Sequence, residues 1–268
     1  MDHSPVVRRD LSLAYRLSSV VAFLMAAASL AGLLFSSVAY PSEELRRSFI
    51  SNDVVNLFIG LPILLGSLWF ARRGSLLGLL FWPGALLYTT YNYIAYTVAM
   101  LLSWQFVLFL ALVLLSVYAL YLLLAGLDAA VVQARLKGKV PERFTGGALV
   151  VFGILILLLA IGALAPALTG QSQASWAELA ARVADLLLVP AWLVCGVLLW
   201  RRRALGYLAG VGLLFQASML FVGLLIFFIL QPLVAGVPFP VADFVTVAVM
   251  SLICFIPFGL FLRGVAAK

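Results

Sequence analysis

The run "GSLLGLLFWPGALLYTTYNYIAYTVAMLLSWQFVLFLALVLLSVYALYLLLAGL", Gly74 to Leu127, contains no charged residue. A bilayer core of about 30 Å takes about 20 helical residues to cross. The run is therefore too long for one crossing and right for two, with the break at Ser103–Gln105, where Trp104 meets an interface. Lipid offers no partner to a free backbone amide, so only helices or closed barrels span it. Long unbroken apolar runs, rather than ten-residue alternations, identify helices.

The remainder of the chain agrees. Its 268 residues are 65% hydrophobic and 10% charged, against about 25% charged in a soluble domain. The pattern predicts an all-α polytopic transmembrane bundle of about eight spans: 17–40, 54–71, 75–101, 105–127, 146–168, 183–200, 204–230 and 242–262. The first apolar stretch is too long for the core of a cleaved signal peptide, which runs about 7–15 residues. "QPLVAGVPFPVAD" after span seven carries three prolines and reads as a loop beginning near Gln231.

Lysine and arginine set orientation. Arg8, Arg9, Arg16, Arg72, Arg73, Arg135, Lys137, Lys139, Arg143, Arg201, Arg202, Arg203, Arg263 and Lys268 fall on one side of these spans. Arg46, Arg47 and Arg182 fall on the other. Both termini are therefore expected in the cytoplasm. The basic balance follows from topology, so no nucleic-acid partner is expected; the partner is the bilayer. The inner segment "QARLKGKVPERF" (133–144) reads as a contact with anionic lipid heads.

Shifted by 128 residues, the chain overlays itself. "GLPILLGSLWFARRGSLLGLLFWPGALL" (60–87) meets "LVPAWLVCGVLLWRRRALGYLAGVGLLF" (188–215) without a gap, pairing Pro62 with Pro190, Arg73 with Arg201, Gly78 with Gly206 and Gly84 with Gly212. Two tandem four-helix repeats are expected, 1–132 and 146–268, around a basic linker, 133–145. Four is even, so the repeats are parallel, related by an axis along the membrane normal.

The repeat isolates the polar stretch of span three. Tyr88, Tyr91, Asn92 and Tyr96 share one helical face, yet the second repeat offers Gln216, Met219, Leu220 and Leu224 in their places. Asp53 and Asn56 enter from the same side in span two, and Asp185 and Asp243 stand at a similar level. Together these residues predict an outward-opening polar cavity, with Asn92, Tyr88, Tyr91, Tyr96, Asn56 and Gln216 as hydrogen-bonding groups and Asp53 as the charge. The competing reading is structural. Tyrosine favours membrane interfaces, polar side chains bond neighbouring helices for about 0.6 kcal/mol each, and aspartates near helix ends serve as caps.

Two further segments, 41–53 and 172–185, have helix-start chemistry. Ser42 and Ser175 stand as N-caps, and Glu178 has capping-box spacing. Both read as short helices along the outer surface, with Phe49 and Trp176 in the interface. Cys195 and Cys254 lie in apolar segments and read as space-filling thiols, with a redox pair as the alternative.

The chemistry excluded is broad. The single histidine, His3, rules out bis-histidine haem and histidine-rich metal centres. No lysine lies within a span, so no retinal Schiff base forms. P-loop, HExxH, GxSxG and dinucleotide motifs are absent. No catalytic residue, cofactor or metal is expected. The tandem spans and "ARRGSLLGLL…YNYIAY" resemble multi-pass membrane proteins common in bacteria; the resemblance covers most of the chain and implies no activity. The preponderance of arginine over lysine fits a GC-rich bacterial genome, so the expected location is the plasma membrane. Three functions stay open: a carrier or binder of a small molecule or lipid, an assembly protein without ligand, and an enzyme acting on outer-leaflet lipid. The last requires Asp53 to converge with Asp185 or Asp243.

Overall fold

The computed structural model describes residues 6–101, 103–170 and 175–266. His3 and Lys268 lie outside them. The described residues form helices and no strand; one isolated bridge pairs Val7 with Leu127. In chain order the helices are α1 (Ser12–Leu34), α2 (Ser36–Ala39), α3 (Glu43–Val55), a π-helical turn (Asn56–Gly60), α4 (Leu61–Arg72), α5 (Leu76–Ala99), α6 (Phe106–Gly126), α7 (Ala129–Leu136), α8 (Glu142–Leu168), α9 (Trp176–Trp200), α10 (Ala204–Ala235) and α11 (Val241–Ala266).

Among the described residues, seven helical stretches are long and apolar enough to cross a membrane. Large apolar side chains such as Phe23, Leu34, Phe58 and Leu158 face outward from them, as a lipid solvent permits. The protein is a multi-pass integral membrane protein. The sequence led us to expect eight spans. The eighth long helix, α5, has 24 residues, but its tyrosines, threonines and asparagine make it too polar to meet the same hydropathy criterion. It has no need to meet lipid along its length. It packs against α4, α6, α9 and α10, and most of its side chains are buried.

Two expected surface helices are continuous with spans. α3, the π turn and α4 form one helical run from Glu43 to Arg72. α9 runs unbroken from Trp176 to Trp200. The caps are nevertheless those read from the sequence: Ser42 accepts from the Leu45 amide at 3.2 Å, and Ser175 accepts from the Glu178 amide at 3.1 Å. Charged first turns give each helix a polar entry without laying it flat. Trp176 is exposed, whereas Phe49 is buried, packed between a stacked Tyr40 ring and a tilted Tyr96 ring with centroids 6.0 and 4.3 Å away. The expected proline loop also shortens, because α10 extends to Ala235 with Pro232 in its final turn. There a proline gives up one bond rather than breaking a helix interior.

The two prolines shared by the 128-residue shift behave differently. Just before Pro62 the helix widens, and the Leu61 amide donates to the Asn56 carbonyl, five residues back. A π turn of this kind makes room for a ring that cannot donate. Pro190 sits in an α-helix with no such turn.

The arginine-rich hairpins, by contrast, share their main amide bonds. The Arg73 and Ser75 amides donate to Trp69 and Phe70 carbonyls at 3.3 and 3.1 Å; the Arg201 and Arg203 amides donate to Val197 and Leu198 carbonyls at 2.9 and 2.8 Å. Between them lie left-handed residues, Gly74 at φ 74° and Arg202 at φ 57°. Gly78 lies against the backbone of Phe70 and Ala71, and Gly206 against that of Leu198 and Leu199. Where α5 crosses α10, Gly84 and Gly212 are in direct contact; a Cβ on Gly84 would meet the Gly212 carbonyl. Missing side chains let two backbones approach this closely.

Candidate functional site

The most unusual side chain is Asp53, on the last turn of α3 and 1% exposed. Space for it comes from α1, since a Cβ on Gly32 would overlap its carboxyl. Its oxygens are held by phenols. Tyr40 donates to Oδ2, and Tyr96 of α5 donates to Oδ1 at 2.9 Å. Ser29 of α1 stands beside the same carboxyl, without a hydrogen bond of normal geometry. Among the described residues, no lysine or arginine pairs with Asp53. A buried carboxyl without a cation is among the costlier groups a membrane protein can hold.

Tyr40 reaches Asp53 from a short strap between α2 and α3. Gln105, at the α5–α6 turn, fixes that strap by donating to the Val38 and Ala39 carbonyls at 3.1 and 3.0 Å. Tyr40 is buried, while Pro41 and Ser42 beside it are exposed. Burial first, and the Asp53 carboxyl second, push the Tyr40 hydroxyl well above the usual phenol range. It therefore remains a donor at ordinary pH.

One turn on, Asn56 begins the π turn. It is 0% exposed and accepts from the Tyr88 hydroxyl at 3.3 Å. Its Nδ2 has no partner. Tyr88 also faces Gly223 of α10, so this pair sits where α3, α5 and α10 meet.

The other nominated residues separate from this group. Tyr91 donates to Asp185 of α9 at 2.9 Å, and Arg182 completes that carboxylate at 3.0 Å. Asn92 bonds backward to the Tyr88 carbonyl of its own helix at 2.9 Å, so it does not meet span two as expected. Gln216 accepts from Trp192 at 2.8 Å and leaves its Nε2 unpartnered. Asp53, Asn56, Tyr88, Tyr96 and Gln216 are all buried, so they do not open outward in this structure. Two cavities, of about 360 and 460 Å³, lie elsewhere and are lined almost wholly by apolar groups. Asp185 is engaged by Tyr91 and Arg182, partners it does not share with Asp53, and Asp243 is exposed at the start of α11. Cys195 and Cys254 are free thiols. No group of metal-ligating residues occurs among the described residues.

Sequence reasoning missed Tyr40, Ser29 and Gln105. Tyr40 reads as the last residue of span one, and nothing local in the sequence ties it to a carboxyl thirteen residues on. Compared with known proteins, the chain matches no family model, no curated protein and no solved structure.

Proposed function

We propose that the protein is a carrier or binder of a small molecule or lipid in the bacterial plasma membrane. Its centre is Asp53 with Tyr40, Tyr96, Asn56 and Tyr88, here in a closed arrangement. The observation that carries this reading is the unpaired Asp53 carboxyl, buried one turn from an interrupted helix. Carriers concentrate ionisable groups and broken helices at their working sites, and π turns recur at functional positions. The unpartnered amides of Asn56 and Gln216 are donors a ligand could satisfy. The chain is then two tandem four-helix units about the linker 133–145, with α5 as the eighth span and both termini inside. The matched hairpins and the Gly84–Gly212 contact support the duplication. Asp53 lies toward the outer face, and Tyr91–Asp185 joins the two units beside it.

The interhelical bonds of Tyr88, Tyr91, Tyr96 and Gln216 favour one other reading, an assembly protein whose polar groups bond helices together. Native mass spectrometry from mild detergent separates the two, with wild type beside Asn56→Ala. This substitution supplies the residue that the second unit has at that place, Ala184. A discrete adduct on the wild type, lost from a variant of near-normal melting temperature, is the expected result. Identical spectra for both proteins would leave the assembly reading.

A further inference from the structure

We infer that Asp53 is an exchangeable proton site in which Tyr96 switches hydrogen-bond acceptor as the proton arrives. This rests on the reading of Asp53 as the working centre. It is carried by a hydrogen-bond geometry with one more acceptor than it has protons to fill.

The Tyr96 hydroxyl has one proton and two acceptors in reach: Asp53 Oδ1 at 2.9 Å and the Phe49 carbonyl at 3.3 Å. While Asp53 is a carboxylate, Tyr96 donates to Oδ1 and Tyr40 donates to Oδ2. When one proton enters from water, it binds Oδ1. Asp53 then donates to the Tyr96 oxygen, and Tyr96 turns its own proton to the Phe49 carbonyl. Tyr40 continues to donate to Oδ2. One O–H bond forms on Asp53, none breaks in the protein, and the local charge rises by one. The Tyr40, Tyr96 and Asp53 protons each have an acceptor in both states, and no heavy atom has to move. Rotation of a single hydroxyl is enough, so neither state leaves the buried donor orphaned.

The surroundings leave the proton as the available counter-charge. From α1 come Ser29 and the backbone at Gly32. From α5 come Tyr93 and Tyr96, and from the strap comes Tyr40. α10 carries no charged residue along its length. On α9, Arg182 is paired with Asp185, which also accepts from Tyr91; the Arg182 Nε has no hydrogen-bond partner. Among the described residues, no arginine or lysine forms an ion pair with Asp53. Pro41 and Ser42, next to Tyr40 in the strap, are exposed.

Infrared difference spectroscopy of the full chain in lipid nanodiscs, stepped through pH, tests this directly. The wild type should show a protonated-carboxyl C=O component that grows as pH falls, shifts in heavy water and is missing from Asp53→Asn, while the other nine carboxyls of the ten titrate alike in both proteins. Tyr96→Phe, which keeps the ring but removes the oxygen that accepts the acid's proton, should retain that component and move it to higher wavenumber. It also serves if Asp53→Asn does not fold. A wild type with no component that Asp53→Asn removes, or a component unmoved by Tyr96→Phe, overturns the switch. The outcome is separable from the carrier reading. A ligand adduct lost in Asn56→Ala with no such component removes the proton alone; that component with no adduct removes the carrier alone.

Discussion

The two arginine-rich hairpins and the two opposite ends of the same helices tell different stories. At the hairpins, α4–α5 and α9–α10 repeat each other's main amide bonds, left-handed residue and glycine contact. At the other end the likeness stops. Asp53, Asn56, Tyr88, Tyr93 and Tyr96 lie over Ala181, Ala184, Gln216, Phe221 and Leu224. The second hairpin's helices also bury a carboxyl, Asp185, but it sits at another position and is paired with Arg182, so a buried carboxyl without a cation is not needed to build such a pair. The polar network is an addition to the architecture rather than a requirement of it, and the π turn before Pro62 accompanies it in one half only.

The largest effect should come from the feature the halves share. Gly84→Leu drives a side chain into the Gly212 backbone and Phe215. Backbone cannot step aside as a flexible side chain can, so the loss should be about 3 kcal/mol, read as a lowered melting temperature in mild detergent. Gly212→Leu should cost a similar amount, because its Cβ would meet Gly84 and the Leu80 carbonyl at 3.1 and 3.3 Å. A large loss at one glycine and none at the other would break the symmetry of the contact.

A smaller effect should expose the feature the halves do not share. Gly32→Ala pushes a methyl into the Asp53 carboxyl and should cost about 2 kcal/mol. The shift places Ala160 opposite Gly32, already a methyl, and Ala181 where the first unit has Asp53. Ala160→Gly should cost only about 1 kcal/mol, the ordinary price of glycine in a helix. Equal losses in the two units would mean that Gly32 serves helix packing and not Asp53.

These contrasts also mark what the sequence made legible. Composition and run length identify a membrane bundle because the solvent imposes them on every residue. Ser42 and Ser175 are readable because a cap acts within three residues of itself. Arg73 and Gly78 are readable because a tight turn is local and appears twice. Asp53, Asn56, Tyr88 and Tyr96 stand out because the second copy lacks them. Their grouping was hidden. Whether Asn92 reaches another helix or its own Tyr88 carbonyl depends on one rotamer. Tyr40, Ser29 and Gln105 join the Asp53 region only through contacts between distant parts of the chain. The charged start of α3 read as a surface helix because charge near a membrane looks the same whether a helix lies flat or enters end-on.

The smallest prediction bears on the hairpins themselves. Their equivalence rests on a left-handed residue, glycine in one and arginine in the other. A Cβ on Gly74 would touch nothing, so Gly74→Ala reports backbone strain alone and should cost about 1 kcal/mol. Arg202 already bears that strain. Arg202→Gly should recover a similar amount and lose the 3.8 Å pair between its exposed guanidinium and the buried Glu142, which keeps its bonds from Gly138 and Tyr207, so that pair is worth about 1 kcal/mol at most. The bond from Gln133 reaches the Arg202 carbonyl and survives the substitution. The two terms nearly cancel, and the melting temperature should stay close to wild type. A drop larger than that of Gly74→Ala would mean that the second hairpin is held by its arginine side chain. The two turns would then share a shape but not a cause.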